Sequence, residues 1–243
     1  MTEFQLVLII ASIAAFFTYL GAPLAEAFEV PHLVISAALQ FAAGVIMALV
    51  AFSLMPPAIR LGPLTWVLGA FFVGGLLYVI LEYVSVWALS KPDLAQDNSA
   101  SLGLYIGILV DLLIDGMVIG IGSTLTIKTG LLLALGMSIS TAPLAFVITA
   151  TAKRQGVPRR RRRLLSFLFI AAIIGGAVIG YLVLRNQSLE VRLILVALAS
   201  GFLITTITQG MIPEANKEGE PGFAGVLFVG GISLYALMTL GLQ

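Results

Sequence analysis

The residues best suited to chemistry in this chain are Asp111 and Asp115, in the stretch Leu-Val-Asp-Leu-Leu-Ile-Asp-Gly-Met-Val-Ile-Gly from Leu109 to Gly120. Their i, i+4 spacing projects both from one side of a helix. The surrounding residues are apolar enough for lipid. An ionisable side chain inside a membrane span costs about 2.5 kcal/mol or more on insertion scales and is by default a functional group. Two carboxylates side by side in a low dielectric repel each other, and they need a cation, a shared proton or hydrogen-bond donors. No Lys, Arg or His lies inside an apolar segment of this sequence except near its ends. That leaves a bound ion or protons.

The next apolar segment offers oxygen atoms. It carries Ser138, Ser140 and Thr141, then Pro143, which removes a backbone hydrogen bond and frees a carbonyl near Ile139. Hydroxyls, a freed carbonyl and two carboxylates form an all-oxygen set, which suits hard cations better than soft ones. Taken singly, each hydroxyl also fits small-residue helix packing. Glu82 and Gln209 sit late in their own segments, where they line a mouth of a path or snorkel to the interface. Gln40, Thr205, Thr206 and Thr208 are candidates for the path or for interhelical hydrogen bonds. His32, beside Pro31, reads as a boundary residue, and Asn186-Gln187-Ser188 is a weak glycosylation pattern in a short loop.

These residues need elements that cross a membrane. The chain has 243 residues, 60% hydrophobic and only 10% charged, against about 25% charged in a soluble domain. There is too little polar surface to solvate a globule. Spans of about 20 apolar residues are expected near 4–22, 32–56, 64–89, 101–126, 130–151, 164–184, 190–212 and 222–241, or seven spans if the first lies at the interface. The first segment has no basic region before it and reads as a retained span rather than a cleaved signal. Lys153, Arg154 and Arg159 to Arg163 are the densest basic run. Read as a loop over 153–163, they belong on the cytoplasmic side, with both termini outside. Topology and anionic lipid account for the run without nucleic acid. The chain has no cysteine, so disulfides and thiolate metal sites are excluded.

The second and seventh segments repeat. Gly44 to Pro56 and Gly201 to Pro213 share one spacing, and Phe-Val-Gly-Gly recurs at Phe72 and at Phe228. The matching segments lie five spans apart, so they run in opposite directions. The expected fold is therefore all-α and polytopic: one transmembrane domain, residues 1–243, of eight helices in a 3+2+3 inverted repeat. Its halves, about 1–90 and 164–243, surround a central pair at 101–152. Inverted repeats are a common transporter plan, with the site near the midplane.

Around the aspartates the chain resembles the ZIP (Zrt/Irt-like) family of metal-ion transporters, and the likeness extends over most of its length. The resemblance implies eight helices in the three-two-three arrangement and both termini outside. The family's fourth helix has the form His-Asn-x-x-Asp/Glu-Gly. Here that window is Asp111-Leu112-Leu113-Ile114-Asp115-Gly116, which puts Asp115 at a metal-binding acid and Asp111 at the histidine. The family's fifth helix has His/Gln-Glu/Asp-x-Pro-Glu, and here it is Ser140-Thr141-Ala142-Pro143-Leu144. Pro213 and Glu214 match the end of the seventh helix. Leu112 replaces the asparagine and Leu144 the second bridging acid, so the family's two-metal site is not intact.

The function expected from these readings is transport of a divalent cation, carried as substrate through a reduced single-ion site. Asp111 and Asp115 are the ligands, with Ser140, Thr141, Ser138, Gln209 and Glu82 as auxiliary residues. The alternatives are the same scaffold carrying another solute on proton or sodium coupling, or a non-transporting membrane partner or sensor. No enzyme is expected. Aspartyl dyads face each other from different helices, and no histidine is placed to activate a serine. The bilayer is the expected surrounding, and a homodimer fits the reading.

Overall fold

The computed structural model describes residues 2–29, 31–89, 99–217 and 222–241, with 85–89 and 99–107 as backbone alone. Among the described residues the chain is helical throughout, without strands. Eight helices are long and apolar enough to cross a membrane: α1 (Glu3–Ala27), α2 (His32–Leu61), α3 (Leu64–Val84), α4 (Ile108–Leu125), α5 (Ile127–Arg154), α6 (Arg159–Leu184), α7 (Leu189–Ala215) and α8 (Ala224–Gly241). The backbone of α3 continues helical to Leu89, and that of α4 begins at Ser99. The charged connection at 90–98 and part of the one before α8, at 218–221, lie outside the described residues.

Several ends differ from the sequence reading, each for a local reason. Pro23 does not stop α1, which runs four residues further and carries Glu26 with it. Most of the basic stretch read as a loop over 153–163 is helical. Lys153 and Arg154 close α5, Pro158 is the N-cap of α6, and Arg159–Arg163 form its first turns. Arginine is a strong helix former and proline suits a helix start. The turn between needs Gly156, whose φ of 77° is left-handed. It closes α5 with bonds from Gly156 N–H to the Lys153 carbonyl (3.1 Å) and from Val157 N–H to the Ala152 carbonyl (3.0 Å).

Prolines also shape α2 and α7. Pro56 and Pro213 were expected to mark span ends, yet both helices pass through them. A proline ring clashes with the carbonyl four residues back. Here the chain takes a π-helical turn just before each proline, over Val50–Leu54 and over Thr206–Met211. The wider turn makes room for the ring, and such turns are frequent at functional sites.

Packing rests on close backbone approach. Helix α2 lies on α8, α3 on α7, α1 on α5 and α6, and α4 on α6 and α5, while α5 also touches α2. In the α2–α8 seam a Cβ on Gly44 would overlap the carbonyl of Phe228, and one on Gly231 that of Phe41. The α3–α7 seam repeats this: Gly201 meets the carbonyl of Phe71, and Gly74 that of Leu198. Gly44 and Gly201, Phe41 and Leu198, Phe71 and Phe228, and Gly74 and Gly231 all stand at one separation along the chain, the separation of Pro56 from Pro213. The Phe-Val-Gly-Gly match alone would have paired Gly75 with Gly231, one residue out of this contact register. Small residues that let helices touch are the usual glue in lipid, where hydrophobic burial drives little association.

Gly74→Val is expected to force α3 off α7 and lower stability by about 1–3 kcal/mol. Gly69→Ala, whose added carbon meets nothing within 4 Å, is expected to leave it unchanged. Thermal unfolding in detergent checks both, and equal midpoints for the two variants would contradict the seam.

Candidate functional site

Helix α4 presents two opposite faces. Leu113, Gly116, Met117 and Gly120 press on Ile173, Gly176, Ala177 and Gly180 of α6. At 3.6 residues per turn, Asp111, Asp115 and Gly122 fall on the other side. There, a Cβ on Gly122 would strike Leu133 of α5, and Ser123 lies against Gly130. The two carboxylates therefore turn away from α6, on the stripe that reaches α5.

Asp115 is 5% exposed. Asp111 is half-buried, but its Oδ1 is sealed from solvent and has no hydrogen-bond partner among the described residues. The two carboxyl groups lie within electrostatic range of each other. A buried oxygen left unpaired forfeits about 1–3 kcal/mol, and more if charged.

On α5, Ser138, Ser140 and Thr141 are all buried. Their hydroxyls donate to their own helix: Ser138 to the Ala134 carbonyl at 2.5 Å, and Ser140 and Thr141 to the Met137 carbonyl at 2.9 and 2.8 Å. Thr141 also meets the Thr18 hydroxyl of α1 at 2.5 Å. With their protons committed to backbone, the oxygens are left to act as acceptors, which is the half of a hydroxyl that a cation uses. Pro143 sits inside α5 without breaking it. Thr205, Thr206 and Thr208 donate back to their own helix in the same way.

Glu82 and Gln209 are both exposed, and Gln209 belongs to the π-helical turn of α7. The sequence reading missed a residue of α3, Tyr78. Its hydroxyl lies within electrostatic range of both Asp111 and Glu82. It reaches over Gly210 in the π turn, where a Cβ would come within 2.7 Å of the hydroxyl oxygen, and its ring packs edge-on against Phe202 at 5.2 Å. The available signal was the i, i+4 spacing of Tyr78 and Glu82, one turn apart on α3.

Tyr235 of α8 stands in the matching place of the other seam. It is fully buried, with its hydroxyl 2.8 Å from that of Ser53 in the π turn of α2. Ser53 occupies the position that Gly210 occupies in α7.

Other polar groups lie apart from the aspartates. Gln40 donates to Asn216 at 2.9 Å, tying α2 to the end of α7. The Ser36 hydroxyl, one turn before Gln40, is buried and without a partner among the described residues. His32 opens α2, and Ser188 of the glycosylation pattern caps α7 by accepting from Val191 N–H. Among the described residues no group of three or more His, Cys, Asp or Glu side chains converges.

Comparison with known protein families and with curated proteins finds no match to this chain.

Asp111→Asn keeps the shape and removes the charge. It is expected to raise the thermal stability of chelator-treated protein by about 1 kcal/mol or more, the scale of an unsatisfied buried group. A lowered unfolding midpoint would mean that a donor already satisfies the carboxylate.

Proposed function

We propose that this chain is a multi-pass carrier of the ZIP type that moves a divalent cation through a single-ion site on Asp111 and Asp115. The observation that carries the reading is the sealed, unpaired Oδ1 of Asp111 beside the buried Asp115. Such a doublet is stable when a cation visits it. Ser140, Thr141, Ser138 and the Tyr78 hydroxyl are the neutral oxygens proposed to complete the shell. Glu82 and Gln209 flank the way out.

The 3+2+3 inverted arrangement is part of the proposal. It is supported by the matched seams, α2–α8 against α3–α7, and by a second matched pair. Gly21 of α1 meets Ala142 and Phe146 of α5 as Gly176 of α6 meets Leu113 and Met117 of α4. Carrying that match along the helices sets Ser140 opposite Asp111 in the repeat, and Leu144 opposite Asp115. One half keeps its carboxylates while the other has a hydroxyl and an alkyl group, which is why one ion is proposed and not two. The ends of α5 and α6 that bear the basic residues are assigned to the cytoplasmic side, with both termini outside.

The test is flux of divalent metal into proteoliposomes loaded with a metal-sensitive dye. Asp115→Ala is expected to abolish it. Asp111→Asn is expected to reduce it at least roughly tenfold, as follows from losing a charge-assisted contact of about 1.5–3 kcal/mol. Wild-type flux in Asp115→Ala would overturn the assignment, and solute movement without any divalent metal, driven by a proton or sodium gradient, would transfer the site to a different cargo.

A further inference from the structure

A second site stands at the other use of charge in this chain. At the end where α6 begins, a cavity of about 200 Å³ lies between α1, α5 and α6, lined by Tyr19, Glu26, Thr149, Arg159, Arg163 and Ser166 among others. Arg159 and Arg163 are one turn apart on α6, so they share a face. We infer that this cavity binds the phosphate headgroup of an anionic phospholipid in the adjoining leaflet.

The charge balance points to an anion. Glu26 is the carboxylate in the wall, and both its oxygens are taken by the buried Arg162: Nε donates to Oε1 at 2.6 Å and Nη2 to Oε2 at 2.8 Å. Arg162 also donates to the Val157 carbonyl. Arg159 approaches Glu26 only at 3.8 Å, and among the described residues no ion pair joins Arg163 to Glu26. The lining therefore carries more positive charge than its one acid cancels. The Thr149 and Ser166 hydroxyls donate to the Ala145 and Arg162 carbonyls, which leaves the guanidinium groups as the donors facing a ligand. Arginine's planar fork suits phosphate. Five arginines in the first turns of a helix stand against its dipole, and an anion there relieves both charges.

The surroundings point to a lipid. Tyr19 stacks on Phe167 at 5.2 Å, and Phe16, Leu164 and Phe167, within a turn of that pair on their helices, are exposed. A second groove, lined by Pro158, Arg160, Arg161, Arg163, Leu164 and Phe167, shares Arg163 with the first. Charge sits above and bare hydrocarbon below, in the order that a phospholipid presents.

Native mass spectrometry of the full chain from nanodiscs checks this, using phosphatidylcholine alone or with phosphatidylglycerol. Selective retention of phosphatidylglycerol is expected. Arg159→Gln/Arg163→Gln should weaken it by at least roughly a hundredfold, as the loss of two charge-assisted contacts implies. Arg60→Gln/Arg185→Gln, with the same charge removed at exposed positions outside both grooves, should weaken it by no more than about fivefold, the scale of exposed ion pairs. Both double variants keep Glu26 and Arg162. Equal losses in the two variants would reduce the effect to diffuse surface charge and overturn the site, as would no preference for phosphatidylglycerol. Glycerol phosphate or inorganic phosphate binding as tightly in phosphatidylcholine discs would overturn the lipid assignment.

Discussion

Water is scarce where α4 carries its two carboxylates, and that scarcity governs the rest. In water, Asp111 and Asp115 would each be solvated and their repulsion screened. In the helix bundle Asp115 is buried, and one oxygen of Asp111 is shut off from both solvent and donors. The bundle could have supplied a lysine or arginine, yet its described ion pairs lie near helix ends: Glu26 with Arg162 and Arg159, and Glu214 with Lys217. Cations hold the ends together, while the middle is left with negative charge and neutral oxygens.

The two matched seams show how such a middle is supported. In one, Tyr235 is sealed: its hydroxyl meets Ser53 and its ring lies against Gly136 of α5. That side is finished, as a packed core is. In the other, Gly210 replaces the serine, so the Tyr78 hydroxyl has no side-chain partner at that position and stands in range of Asp111 and Glu82. The same position thus serves packing in one seam and polarity in the other.

Composition and apolar run length made the eight helices and the all-helical class legible, because a bilayer permits few alternatives. The aspartate pair was legible because charge in such a run is conspicuous. Helix ends were less so. Pro23, Pro56 and Pro213 read as stops, but a proline inside a membrane helix is tolerated when neighbouring turns adjust, and here two π turns did so. The arginine run read as a loop because its charge was considered and its helix propensity was not. Tyr78 was invisible for a different reason: a tyrosine in an apolar segment looks like any other ring until Gly210 is seen against it and Asp111 within electrostatic range. The Glu26–Arg162 pair joins residues far apart in sequence, and no local pattern announces it.

Charge balance also bears on what a site of this kind favours. Two carboxylates carry two negative charges, so a divalent ion leaves the group neutral and a monovalent ion leaves one charge unpaired. At an effective dielectric near 20, two unit charges about 4 Å apart interact by about 4 kcal/mol. Residual charge in so dry a place is therefore expensive, and a cation site on the doublet would discriminate by valence before any coordination geometry is considered. The neutral oxygens on α5 cannot alter that count. Ser138, Ser140 and Thr141 have already given their protons to backbone carbonyls, so any of them that reached a bound ion would present lone pairs. Leu144 adds no acid from α5, so a cation site on the doublet would balance the charge of one divalent ion.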